Sequence, residues 1–180
     1  MVEIIHVLMA EHRVIERMVA LLKKELGSED LKSTASPSFI YSAVDFFKNY
    51  ADTTHHGKEE GILFKSLEGK HLSDEHRAVM DRLVREHSIA RAEVKGLFES
   101  AQRYEKGDMD AVAHISTHLA RLIALYPPHM ELEDKNFFAA SMEYFSPEEK
   151  KRMLDDCYDH DADMAHRKYV EMVVRYEEKQ

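Results

Sequence analysis

Two pairs of segments repeat each other's polar residues in the same order, and a fold for this chain has to satisfy both pairs at once. "AEHRVIERMVALL" (residues 10–22) and "REHSIARAEVKGLF" (85–98) each hold Glu-His followed by an apolar pair and an arginine. "HGKEEGILF" from His56 and "HMELEDKNFF" from His129 each give His-x-x-x-Glu, with Phe64 and Phe137 four residues after the glutamate. The step from His12 to His87 is 75 residues, and from His56 to His129 it is 73. A solvated charge cluster has no reason to recur in matched order at a nearly matched step. Groups four residues apart lie on one face of a helix, so the repeat implies four helices that each turn histidine or glutamate toward a shared interior.

Apolar spacing supports those helices. Ile4, Ile5, Leu8, Ile15, Met18, Val19, Leu22 and Leu26 recur at helical intervals, with Gly27 as a stop. A Ser-rich loop over residues 27–38 leads to a second helix over about 38–67, entered at Pro37. Ser73 can cap a third helix over 74–105, and "KGD" separates it from a fourth, capped by Asp108 and reaching about residue 144. Pro127 and Pro128 are expected to kink that helix, because proline removes a donor and crowds the preceding turn. "SPEEKK" starts a further helix with Ser146 as its cap. The expected fold is all-α: an up-down antiparallel four-helix bundle over 1–145, with an additional C-terminal helix over 146–180 packed on it within the same domain.

The six residues His12, His56, Glu60, His87, His129 and Glu133 bring four imidazoles and two carboxylates to one place, a donor set suited to transition metals rather than to magnesium or calcium. Both glutamates are expected to bridge two metals, with two histidines on each. Ferritin-type bundles use Glu-x-x-His instead, a spacing absent from these segments. His55 and Glu59 point about 100° away from His56 and Glu60 on an α-helix, and are expected behind the site or in solvent.

The order His, His-x-x-x-Glu, His, His-x-x-x-Glu, with "HHGKEEGILF" and "YPPHMELEDKNFF" around it, resembles the hemerythrin-like (HHE cation-binding) family over about residues 2–144. The resemblance implies a four-helix bundle around a non-haem di-iron centre, oxo- or hydroxo-bridged, with the six residues above as metal ligands and zinc or another divalent metal as the alternative occupant. Family members carry or sense oxygen, bind iron, scavenge nitric oxide or peroxide, or repair iron-sulfur clusters. The expected function is binding or sensing of a small ligand (dioxygen, nitric oxide or peroxide) or of iron itself. Redox turnover of peroxide or nitric oxide, or iron-sulfur cluster repair, is the alternative. The family's oxygen carriers place a second histidine one turn from that of the third helix; here those positions are Leu83 and Arg91.

A net charge of -9 without a concentrated basic run argues against nucleic acid or an anionic membrane as partner, and association as a homodimer stays open. The single Cys157 excludes an internal disulfide or a cysteine-rich metal site within one chain. No apolar run reaches the ~20 residues of a membrane span, and the start lacks the pattern of a signal peptide, so a cytoplasmic location is expected. Glu16, one turn beyond His12, is open between a labile seventh ligand and a surface partner of Arg13, and His114 with His118 between a metal-binding pair on one helix face and a solvated pair. Tyr126 is a candidate pocket residue, open between core packing and a hydrogen bond to a ligand. His160 and His166 are assigned no chemistry.

Overall fold

The computed structural model describes residues 2–27, 36–160 and 165–179; the expected Ser-rich loop falls largely outside them. Helix α1 is Ile4–Gly27. Helix α2 enters at Pro37–Asp45, widens into two π-helical stretches, Phe46–His56 and Glu59–Phe64, and closes at Lys65–Glu68. Helix α3 is Asp74–Glu105, capped where expected by Ser73, whose hydroxyl accepts from the His76 amide.

Gly107, at φ 92°, ends the α3 turn. Its amide donates to Tyr104 at 2.9 Å and that of Asp108 donates to Arg103 at 3.1 Å, the closure that releases a helix C-terminus into a left-handed residue. Helix α4 starts at Ala111, two residues later than the Asp108 cap implied. The Asp108 side chain does accept from the Asp110 amide, but the first turn is closed by bonds that span three residues, from the Ala111 amide to the Asp108 carbonyl and from the Val112 amide to that of Met109. It passes through Pro127 and Pro128 to Leu132 without a break, and leaves α geometry only at Glu133–Phe137, a π turn that continues into Phe138–Met142.

The C-terminal segment contributes two helices among the described residues, α5 (Pro147–His160) and α6 (Ala165–Glu177). Ser146 starts α5 with a reciprocal cap: its hydroxyl accepts from the Glu149 amide and its own amide donates to the Glu149 carboxylate.

Helix α3 packs on α4 and α2, and α1 packs on α4. Among the described residues the apolar interior forms two separate clusters. One runs from Val14 and Leu22 through Phe47, Leu97 and Tyr126 to Tyr169 and Val173 of α6. The other gathers Ile4, Leu8, Phe64, Leu83 and Phe138 with Met153 and Cys157 of α5. Polar residues of α1–α4 are also fully buried, among them Glu11, His12, His55, Glu59, His87 and Glu133. Each C-terminal helix therefore completes one apolar cluster.

Gly96 of α3 lies beneath the His118 ring, where a Cβ would stand 2.3 Å from the ring's Cε1. His118 is held there by the Glu93 carboxylate at 2.6 Å. Gly96→Ala is expected to cost about 1–3 kcal/mol by overpacking, more than the ~0.8–1 kcal/mol that alanine gains as a helix former. Adding His118→Ala should restore stability in thermal melts. His114, one turn away, is exposed.

Candidate metal centre

Five imidazoles and two carboxylates converge in the bundle interior. His12 comes from α1, His55, His56 and Glu59 from α2, His87 from α3, and His129 and Glu133 from α4, and each is at most 3% exposed. They fall into two overlapping groups. His12, His55, Glu59 and Glu133 form one, and His56, His87, His129 and Glu59 form the other; within each, the donor atoms lie within 4.8 Å of one another, a geometry able to hold a metal ion. Glu133 also approaches the second group, with Oε1 3.3 Å from His129 Nε2.

The structure brings five of the six expected residues together and places Glu60 elsewhere. Its carboxylate, about a third exposed, lies behind His87, accepting from Nδ1 at 2.7 Å and from Arg91 at 2.7 Å. Glu59 takes the interior position instead, 3.3 Å from His87 Nε2 and 3.4 Å from His55 Nε2. The expectation that His55 and Glu59 lie behind the site or in solvent is thus reversed, and the cause is the wide helix. In the π stretch, Thr53 and Thr54 hydroxyls donate to carbonyls five residues back, a spacing that shifts every later side chain relative to 3.6-residue geometry. His55 and His56 then both face inward, toward different groups.

Each imidazole is oriented from behind. Nδ1 of His12 pairs with Asp134 at 2.7 Å, that of His55 with Glu11 at 3.0 Å, and that of His56 with Asp52 at 3.3 Å. Nδ1 of His87 pairs with Glu60 at 2.7 Å, and that of His129 with Glu86 at 2.8 Å. A carboxylate only accepts, so every Nδ1 carries hydrogen, and in the neutral ring every Nε2 turns a lone pair to the centre. Glu11 and Glu86, which precede the histidines of α1 and α3, each orient a histidine of the next helix.

Such a centre is under electrostatic strain without a cation. Nε2 of His12 lies 3.0 Å from Nε2 of His55, and Nε2 of His87 lies 3.2 Å from that of His129. Among the described residues, the buried side-chain oxygens without a hydrogen-bond partner are the two of Glu59 and the two of Glu133. Facing lone pairs and unpaired buried carboxylate oxygens cost free energy, and a shared cation removes both costs.

In the metal-free protein, protons take that place. Burial opposes charge on His12, but the Asp134 and Glu133 carboxylates beside its two nitrogens prevail and raise its pKa to about 10. Burial likewise opposes charge on His87, and Glu133, Glu59 and Glu60 overcome it, raising that ring to about 11. His56 moves the other way, well below its ordinary value, through burial first and then the charge of the His87 ring beside it. Burial favours the neutral form of Glu133, yet the surrounding histidines hold its carboxyl well below the usual range.

A family model for the hemerythrin HHE cation binding domain matches residues 3–141, which include all seven residues. The chain belongs to the hemerythrin HHE cation-binding family. Comparison with curated proteins and with solved structures finds no significant match. Within this hemerythrin domain, Leu83 and Arg91 supply no imidazole, yet three rings, of His56, His87 and His129, share one group. Tyr126 is buried beside His56, its ring 6.4 Å from that imidazole, and burial raises its pKa. Glu16 pairs with Arg13 at 2.9 Å on the surface. His160 and His166 bond to the Thr53 carbonyl and the Tyr50 hydroxyl, outside the cluster. No helix among the described residues is long and apolar enough to cross a membrane.

Proposed function

We propose that this hemerythrin-family chain is a non-haem di-iron protein that binds a small ligand such as dioxygen, nitric oxide or peroxide. His12 and His55 would hold one iron, His56, His87 and His129 the other, and Glu59 and Glu133 would bridge them. The observation carrying this reading is the set of Nε2 atoms and unpaired glutamate oxygens aimed at one another in a buried layer. Mixed imidazole and carboxylate donors suit iron. Three imidazoles with two carboxylates in reach exceed the four ligands of a structural zinc site. The His12 and His55 side has one imidazole fewer, which favours it as the place where an added ligand enters. Iron held there would supply an incompletely ligated, redox-active position. The net charge of -9 supports a small ligand over a polyanionic partner.

The test is anaerobic loading of the metal-free protein with ferrous iron, followed by dioxygen, nitric oxide or peroxide. Two irons per chain and new visible bands with at least one ligand are expected. One metal per chain, or no spectral response to any of the three, overturns the reading.

Loading should also release protons, because His12 and His87 carry them at neutral pH in the metal-free state. At pH 7.5, about two protons per chain from these rings are expected in calorimetry repeated in buffers of different ionisation enthalpy. Both pKa values are raised on folding. Their contribution to metal-free stability is therefore complete below about pH 6.5, the unfolded value, and is lost as pH rises through about 10 to 11.

A further inference from the structure

Between α2 and α3 lies a cavity of about 270 Å³ that the metal reading does not use. Val44 and Phe47 of α2 and Val94 of α3 form its apolar walls, and Tyr126 of α4 closes its inner end. Lys48 and Lys95 stand exposed among the lining residues, beside Phe98, which is 38% exposed. Arg91 and Asp52 complete the lining next to His56.

We propose that this cavity binds a small carboxylate with an apolar body, of the medium-chain alkanoate class. The charges lining the cavity are unequal: Arg91 is taken up by Asp52 and Glu60, and Lys48 and Lys95 carry the surplus. Asp52 is already engaged, taking the Arg91 Nε hydrogen at 2.7 Å and facing His56 Nδ1 at 3.3 Å. Lys95 is 77% exposed and its nearest carboxylate, Glu99, is 3.9 Å away, too far for a hydrogen bond. The two lysines thus offer donors at the rim while Val44, Phe47 and Val94 offer apolar surface beneath. A ligand anionic at one end and apolar along its length satisfies both, and a neutral chain or a small hydrophilic anion satisfies only one. The volume falls just below the ~300 Å³ at which pockets for drug-sized ligands begin, which favours a short chain over a long fatty acid. The occupant's far end rests against Tyr126 and the outer side of the His56 ring, so it lies beside the metal cluster without entering it. Neither the cavity nor its charges depend on which metal the cluster holds.

Isothermal titration of the full chain with octanoate, 1-octanol and acetate tests the assignment. Octanoate is expected to bind at one site per chain, at least tenfold more tightly than octanol or acetate. Lys48→Glu with Lys95→Glu, two exposed changes, should weaken octanoate at least tenfold with the melting temperature unchanged. Val94→Trp should abolish binding by filling the cavity. Equal affinity for octanol, absence of saturable binding, or full affinity in the double lysine variant overturns the proposal, and the lysine variant decides it even if Val94→Trp does not fold.

Discussion

Glu59→Ala is expected to reduce iron from two per chain to less than one, whereas Glu60→Ala should still fill both positions at saturating metal. Glu59 belongs to both groups of donors, so its loss removes a ligand from each metal of the proposed pair at once. Glu60 only accepts from His87 Nδ1 and from Arg91. Its removal frees the ring to turn and lowers its basicity, an effect of about 10–100-fold on metal affinity for groups placed behind a ligand. Iron analysis after loading at two concentrations, one near the wild-type dissociation constant and one far above it, separates the two cases. If Glu60→Ala empties the site at high iron while Glu59→Ala does not, the inward position of Glu59 is not the one that holds metal.

The contrast between these neighbours comes from helix geometry rather than from residue type. Helix starts carry local chemistry, so Ser73 ahead of α3 and Ser146 ahead of α5 were legible as caps and are observed as caps. The convergence of α1–α4 was legible from the repeat. The register within α2 is not legible in the same way, because a spacing of four aligns side chains only on an α-helix, while Phe46–His56 and Glu59–Phe64 are π-helical.

A more uniform repeat was nonetheless present. His55 to His129, Glu59 to Glu133 and Phe64 to Phe138 are all steps of 74 residues, beside 75 for Glu11 to Glu86 and His12 to His87. Pairing His56 with His129 gives 73 and leaves His55 without a counterpart. In the uniform register the unmatched residue is His56, whose equivalent is Met130, and that one difference gives the cluster three imidazoles on one side and two on the other. The roles of Glu11 and Glu86 were hidden for another reason. Each orients a histidine on the next helix, so neighbours within one helix could not reveal it.

Burying this much charge makes demands on the scaffold beyond the seven central residues. Glu11 accepts from His55 and is itself 1% exposed, which leaves a carboxylate charge that the imidazole alone does not balance while it stays neutral. Lys58, fully buried on α2, donates to the other Glu11 oxygen. Burial raises the Glu11 pKa, and His55 with Lys58 reverses that and holds it below the ordinary carboxylate value. The ammonium thus keeps Glu11 ionised, and an ionised Glu11 keeps the His55 hydrogen on Nδ1 and the lone pair turned to the centre.

Lys58→Met should therefore destabilise the protein by about 3–5 kcal/mol, because removing one member of a buried pair leaves the other charged and desolvated. For a chain of this size that corresponds to a fall of roughly 6–20 °C in melting temperature. Glu11→Gln in the Lys58→Met background should recover most of the loss. The amide still accepts from His55 through its oxygen, and the uncompensated charge is gone. Metal affinity in the double variant should stay about 10-fold or more below wild type, since a neutral amide holds the imidazole less basic than a carboxylate does. Melting curves of the metal-free forms report the first effect and metal titration the second. A loss below 1 kcal/mol for Lys58→Met alone would show that Glu11 takes up a proton or reaches water when its partner is removed. In that case the lysine does not set the charge on which the His55 orientation rests.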